Sequence, residues 1–177
     1  NYETEKVGFG ISLGFPLSYD KRIITKYSFF NDKTSADTNA TNYEKMLDGT
    51  TTVSSIGYSF SSDKRNSQYK PSAGYKYQIN QDIAGAGGDS HFIKSTFEYT
   101  YYKRLNKSLI GSLKLNSGHL NGYNNKYAPI SSYFNLGGNK LRGFMNQSVG
   151  PKAGNSYTGG QYFYLLSTET NIDLPIE

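Results

Sequence analysis

Strict alternation of apolar and polar residues is the feature that most constrains what this chain can fold into. From Val7 to Phe15 every odd position is apolar and every even position is glycine or serine. A period of two over such a stretch indicates a β-strand with one apolar face. The alternation recurs, so we predict seven strands at about residues 7–15, 22–29, 51–61, 75–82, 93–101, 109–116 and 162–174. The pattern therefore predicts an all-β, antiparallel fold with almost no helix.

The predicted connections alternate in length along the chain. They comprise about five, nineteen, twelve, eight, four and forty residues, and the first is a turn from Pro16 to Asp20. Residues 32–50 are rich in Asp, Thr, Asn and Ala, so we expect a polar loop with at most one helical turn, from Tyr43 to Leu47. Except for the proline-containing third connection, this is the arrangement of short turns at one membrane face and longer loops at the other.

Two architectures fit the alternation, a soluble sandwich with a packed core and a transmembrane barrel. Aromatic residues make up 15% of the chain, and Tyr75, Tyr101 and Tyr162 lie near strand ends, as in the aromatic girdles of barrels. This favours the barrel over the sandwich. Seven strands leave two open edges, which lipid does not tolerate. We therefore expect residues 1–177 to form part of a larger, closed transmembrane barrel.

The last connection, residues 120–160, is far longer than a hairpin needs, and such loops are usually functional or disordered. This one carries glycines and a single central arginine, Arg142. A guanidinium between Gly143 and Leu141 suits insertion into a polar cavity, where its fork can meet a carboxylate. We expect five apolar residues to anchor the loop: Leu136, Leu141, Phe144, Met145 and Val149.

The motif in this loop resembles the signature loop of the BamA family, the bacterial surface antigen barrels that include outer-membrane barrel insertases and two-partner secretion transporters. The family pattern is Gly-Gly, then Val/Leu-Arg-Gly-Phe/Tyr, then Gly-Pro. The matching residues here are Gly137, Gly138, Leu141, Arg142, Gly143, Phe144, Gly150 and Pro151. The resemblance implies a barrel of about sixteen strands, of which this chain covers roughly the seventh to the thirteenth, with the loop folded into the lumen.

The resemblance also implies that Arg142 contacts acidic groups on the strand after the loop. Family members carry a glutamate four residues before a proline, a place that Asn171 occupies here relative to Pro175. Glu169 and Asp173 share the polar strand face with Asn171 by parity. We expect Glu169 to be the partner, with Asp173 second, and we expect Arg142→Ala to weaken the barrel without changing its strand number.

A second match lies in the third connection. The segment Asp63-Lys64-Arg65-Asn66, followed by Pro71 and Gly74, is similar to the family's periplasmic turn, Asp-x-Arg-Asp followed by Phe-x-Pro-x-x-Gly. Asn66 replaces the second aspartate of that pattern. The departure bears on the hydrogen bonds that this position makes inside the turn.

What the family implies is a non-enzymatic factor of the bacterial outer membrane that folds and inserts nascent barrel proteins without a cofactor. Its partners would be outer-membrane lipids, unfolded client proteins and accessory assembly lipoproteins. The POTRA domains and the remaining barrel strands are absent from this chain. The alternative is a two-partner secretion transporter that exports a polypeptide through the barrel. A passive porin would lack the Arg-Gly-Phe loop.

Other chemistries have weaker support. The net charge of +5 comes from dispersed lysines and arginines, which disfavours nucleic-acid binding, and the absence of cysteine excludes disulfides and thiolate metal sites. His91 and His119 lack the spacing of metal ligands. The segment from Gly85 to Gly88 lacks the strand–turn–helix context of a phosphate loop. Polar-face side chains could line a channel or simply form a solvated wall: Lys94, Glu98 and Lys114.

Overall fold

The computed structural model describes residues 2–36, 48–126, 128–153 and 156–172. It consists of one antiparallel sheet in which each strand pairs with the next along the chain, plus a two-stranded hairpin. The large sheet contains β1 Tyr2–Ser18, β2 Lys21–Ala36, β3 Gly49–Asp63, β4 Gly74–Ala84, β5 Phe92–Arg104, β6 Leu109–Gly122 and β9 Tyr162–Ile172. The hairpin contains β7 Lys152–Ala153 and β8 Ser156–Tyr157. The predicted seven-stranded, all-β fold is confirmed.

Strands β1 to β6 are longer than the alternation predicted. The turn expected from Pro16 to Asp20 is wrong, because β1 continues through a register shift to Ser18 and turns only at Tyr19 and Asp20. The loop expected at 32–50 is wrong at both ends, since β2 reaches Ala36 and β3 begins at Gly49. Pairing with β1 extends β2 despite its polar composition. The helical turn expected at 43–47 lies outside the described residues.

The last connection also starts later than expected. β6 pairs with β5 as far as Gly122, so the predicted end of the strand near residue 116 and the start of the loop at 120 are both wrong. The connection runs from residue 123 to residue 161 and contains a 3-10 turn, Ile130–Ser132, as well as β7 and β8. Among the described residues, no helix has the length and apolar character needed to cross a membrane.

The two faces of the sheet differ as the alternation predicted. One face is apolar and exposed, with Val7 66%, Leu13 60% and Leu166 66% accessible. Tyrosine rings line this face near the short turns, where Tyr75 stacks on Tyr99 with 6.2 Å between ring centroids. No second layer covers the apolar face in the described part of the chain. A sandwich would bury this face, so the arrangement is that of a barrel wall.

The polar face carries the long connection. Its long-loop end holds a small apolar cluster drawn from neighbouring strands: Val53, Ala84, Phe92 and Leu120. Two loop residues, Ala128 and Phe134, complete the cluster. The long connection therefore folds back over the polar face of the sheet and is buried there at its beginning.

Candidate functional site

The segment before the motif, residues 128–134, which we call the loop root, is the part of the connection held most firmly. Phe134 is 7% exposed and packs edge-on against Phe163 of β9, with 5.0 Å between ring centroids. It also exchanges two backbone hydrogen bonds of 2.9 Å with Gly160. The burial of the Phe134 ring and the two backbone hydrogen bonds to Gly160 fix the root to the wall.

The motif itself forms a hairpin that stands on this root. An isolated bridge between Leu136 and Val149 closes it, and the Gly138 N–H donates to the Phe144 carbonyl at 2.9 Å. Gly137 has φ +122°, and a Cβ there would collide with the carbonyl oxygen of Met145. The first glycine of the motif is thus required by backbone conformation and by the closeness of the facing strand.

Arg142 lies at the tip of this hairpin, over β9 and β6. Its Nη2 is 3.8 Å from Oε1 of Glu169, whose Oε2 accepts a hydrogen bond from Lys114 Nζ at 2.8 Å. The Arg142 side chain is 88% exposed, while that of Glu169 is 32% exposed. One carboxylate is therefore shared by a lysine of the wall, in close contact, and by the loop arginine, in loose contact.

An open cleft of about 570 Å³ separates the hairpin from the wall beneath it. Hairpin residues 139–142 line one side, and Phe163 and Leu165 of β9 line the other. Lys140 Nζ lies 5.7 Å above the Phe163 ring. The cleft thus combines cations from the loop with apolar and acidic groups from the wall.

Two of the expected loop anchors are wrong. Phe144 is 53% exposed and Met145 is 80% exposed, because both project from the free end of the hairpin. Their apolar character alone predicts that they are buried. The buried apolar residues of the loop instead lie in the root, at Ala128, Ile130 and Phe134. Gly150 and Pro151 begin the return path, where the Thr158 N–H donates to the Pro151 carbonyl at 3.0 Å.

The other residues singled out from the sequence are scattered. Asn171 lies on the polar face of β9 opposite Ile110, and Asp173 lies outside the described residues. His91 packs edge-on against Tyr123, and His119 packs against Tyr162. In the described part of the chain no three potential metal ligands come together.

The connection from β3 to β4 is compact and closed by side chains. The Arg65 guanidinium donates to the Asp63 carboxylate at 2.8 and 2.6 Å, and this hydrogen bonding raises the pKa of Arg65. Asn66 Oδ1 accepts from the backbone N–H of Ser72 and of Ala73 at 3.0 and 3.1 Å. An amide oxygen accepts as a carboxylate does, so asparagine serves here in place of the aspartate of the family pattern.

Pro71 and Gly74 belong to the same turn. Gly74 has φ +98°, and a Cβ there would collide with the Lys64 carbonyl oxygen. The four residues singled out in this connection therefore lie together in one turn, in which Pro71 directly precedes Ser72.

Asn66→Ala is expected to loosen this turn. It removes both accepted hydrogen bonds and the one that Asn66 Nδ2 donates to Ser72 Oγ at 2.8 Å. We expect a loss of about 1–2 kcal/mol in the free energy of unfolding, measured by urea titration of the whole barrel in vesicles. Asn66→Asp is the matched control, because it keeps the acceptor oxygen. Equal losses for the two variants would contradict the role given to Oδ1.

The model of the Omp85 superfamily domain matches residues 1–177. The chain belongs to the Omp85 superfamily. The crystal structure of BamA from Haemophilus ducreyi lacking POTRA domains 1–3 has the same fold, with a TM-score of 0.89 and 20% identity over 99% of this chain and 38% of that one. The sheet is thus a segment of a larger Omp85 barrel, and the resemblance to the BamA family is confirmed.

Curated relatives come from bacteria and from animals. The outer membrane protein assembly factor BamA of Neorickettsia risticii is 29% identical over 182 residues, which is 99% of this chain and 24% of the relative. The sorting and assembly machinery component 50 homolog of Bos taurus is 36% identical over 124 residues, which is 69% of this chain and 26% of the relative. This Omp85 segment therefore spans about a quarter of the length of these relatives.

Several residues of the Omp85 loop site could not be assigned from the sequence. Lys114 was placed on the polar face, but its hydrogen bond to Glu169 depends on the pairing of β6 with β9 across the loop. The root residues Ser131 and Ser132 carry no motif at all. Parity identified the wall lysines as polar-face residues, and only the fold shows which of them contact the loop.

Proposed function

We propose that this chain is part of an Omp85 barrel of the bacterial outer membrane that folds and inserts other barrel proteins. The observation that carries the proposal is the glycine-closed hairpin that holds Arg142 over Glu169 on the polar face of a barrel wall. Relatives named for outer membrane protein assembly or for sorting and assembly support it. In the closed barrel the polar face would line the lumen, and the exposed apolar face would meet lipid.

The mechanism we propose needs neither a cofactor nor nucleotide hydrolysis. A client strand pairs with an open edge of the barrel, and the backbone hydrogen bonds of that pairing supply the driving free energy. The partners are then unfolded outer-membrane proteins, the surrounding lipids and accessory lipoproteins. The Arg142 hairpin over β9 keeps the lumen ordered while the edge opens. Its role is therefore to maintain the shape of the barrel and not to catalyse a reaction.

The test uses the full-length protein in vesicles to which a urea-unfolded client barrel protein is added. Folded client is measured by its heat-modifiable migration on gels. We expect folded client to accumulate faster than in empty vesicles. The secretion alternative predicts instead that a passenger polypeptide enters the vesicle lumen while client folding stays at the rate of empty vesicles, and that result would overturn the proposal.

Arg142→Ala is expected to slow client folding by about fivefold, the factor that corresponds to roughly 1 kcal/mol for an exposed ion pair. Arg142 is exposed and its contact with Glu169 is 3.8 Å long, so we expect Arg142→Ala to change the stability of the barrel only slightly. This effect is smaller than the weakening of the barrel that the sequence motif alone led us to expect. Lys152→Ala is the matched control, because it removes an exposed loop cation that lies 4.4 Å above the Tyr157 ring, in the β7–β8 hairpin and outside the Arg142 hairpin. Equal rates for the two variants would contradict a role for Arg142.

A further inference from the structure

The 3-10 turn in the loop root directs two backbone carbonyl groups at the barrel wall. The first carbonyls of the turn accept from its own N–H groups, as the geometry of a single turn allows. The next two cannot be satisfied within the turn. The Ser131 carbonyl lies 3.5 Å from Lys6 Nζ on β1, and the Ser132 carbonyl lies 2.6 Å from Lys94 Nζ on β5.

Lys94 is the closer and better enclosed of the two lysines. Its Nζ also lies 4.8 Å from the centroid of the Phe134 ring, so the loop covers it with both a carbonyl and an aromatic face. Asp82 is its direct neighbour on β4. That carboxylate is bound by Lys26 of β2 at 2.8 Å. Two lysines thus flank one aspartate, and of the two, Lys94 is the one that donates a hydrogen bond to the described part of the loop.

This arrangement makes the position of the root matter energetically. A half-buried ammonium group is stable only when acceptors replace the water that it has lost. For Lys94 the acceptor is the Ser132 carbonyl, which reaches Nζ only when the 3-10 turn sits in this place. A shift of the root by a residue would leave the cation covered by the loop without this acceptor.

A second attachment lies on the opposite side of the root. The Ser131 hydroxyl donates to the Asp32 carboxylate, which is 2% exposed and has Lys6 3.8 Å away. The root is therefore attached to β1 and β2 at one point and to β5 at another. Its contacts span the wall across β3 and β4.

We propose that Lys94 is the positioning residue of the Arg142 hairpin, acting through its hydrogen bond to the Ser132 carbonyl. The proposal rests on the proposed function, because it assigns the docked hairpin a part in client folding. Arg142 itself makes only a loose contact with the wall. The placement of the hairpin is set at the root, through Lys94, with the Lys6 and Asp32 contact as the second attachment.

The experiment compares Lys94→Met with Lys26→Met in the full-length protein in vesicles. Both variants remove a lysine beside Asp82, but among the described residues only the first removes a hydrogen bond to the loop. Spin labels on cysteines introduced at Gln147 in the hairpin and Lys76 on the polar face report the distance between hairpin and wall. Heat-modifiable migration reports whether the barrel is closed, and client folding reports activity.

We expect Lys94→Met to broaden the label distances and to slow client folding by about tenfold, as the loss of a charge-assisted hydrogen bond implies, with barrel migration unchanged. Lys26→Met should leave the label distances as in the parent protein. If Lys94→Met does not fold, Lys94→Thr keeps a polar side chain that is too short to reach the Ser132 carbonyl and should broaden the distances. Narrow distances in the Lys94 variants would overturn the proposal. A parent protein that folds no client would contradict the proposed function alone, because the label distances would still report on Lys94.

Discussion

Phe134→Ala should release the long loop from the barrel wall. Phe134 is 7% exposed within an apolar cluster that includes Phe92 and Leu120, and truncation of a buried phenylalanine to alanine costs about 3–5 kcal/mol. That penalty falls on docking of the loop, because the strands pair with one another without it. Hydrogen–deuterium exchange of the peptide covering residues 128–136 should therefore accelerate by roughly a hundredfold or more.

Phe144→Ala is the matched control for this prediction. It removes the same ring from the same loop, but Phe144 is 53% exposed at the end of the hairpin. We expect exchange in residues 128–136 to stay within about threefold of the parent protein, as is usual for exposed positions. Faster exchange in the Phe144 variant than in the Phe134 variant would show that the hairpin, and not the root, holds the loop.

Leu115→Arg should destabilise the barrel by about 2–4 kcal/mol, the cost of a cation on the lipid face near the bilayer midplane. Leu115 lies near the middle of β6, between Tyr99 of β5 and Leu166 of β9 on the apolar face. Urea titration in vesicles gives the free energy. Leu113→Arg should cost less, because Leu113 is two residues nearer the short turn, opposite Tyr101, and the penalty falls towards the interface.

The control for the lipid-face prediction is Asn116→Arg, one residue further along β6. Asn116 lies on the polar face opposite Glu98. An arginine there remains in water and gains a nearby carboxylate, so we expect a change below about 1 kcal/mol. A similar loss of stability for Leu115→Arg and Asn116→Arg would mean that the two faces do not contact different media, lipid on one side and water on the other.

The faces of the sheet were predictable because side-chain direction in a strand is a local property with a period of two. The strand ends were not. Asp32 to Ala36 is polar and reads as loop, yet it pairs with β1. Likewise the predicted strand ends near residue 116, yet the chain pairs with β5 as far as Gly122. Pairing with a neighbour decides such ends, and the neighbour is distant in sequence.

In the candidate site too, local features could be predicted from the sequence and contacts between distant residues could not. The spacing of Gly137, Arg142 and Gly150 indicated a tight loop with a projecting guanidinium, because backbone conformation at glycines is local. The loop root was missed, since Ser132 and Lys94 are 38 residues apart and neither has a distinctive neighbourhood in the sequence. The sequence predicts Phe144 as an anchor, because hydrophobicity indicates that a residue prefers burial but does not indicate whether the fold supplies a buried place.

The position of the Arg142 hairpin over the polar face of β9 can be measured by crosslinking in membranes. A short bismaleimide is applied to the full-length protein that carries cysteines at Arg142 and Glu169, or at Arg142 and Thr168. Thr168 adjoins Glu169 but lies on the apolar face, opposite Leu113. We predict an efficient crosslink for the first pair and almost none for the second. Equal crosslinking of the two pairs, or a crosslink confined to Thr168, would show that the hairpin does not lie over the polar face of β9.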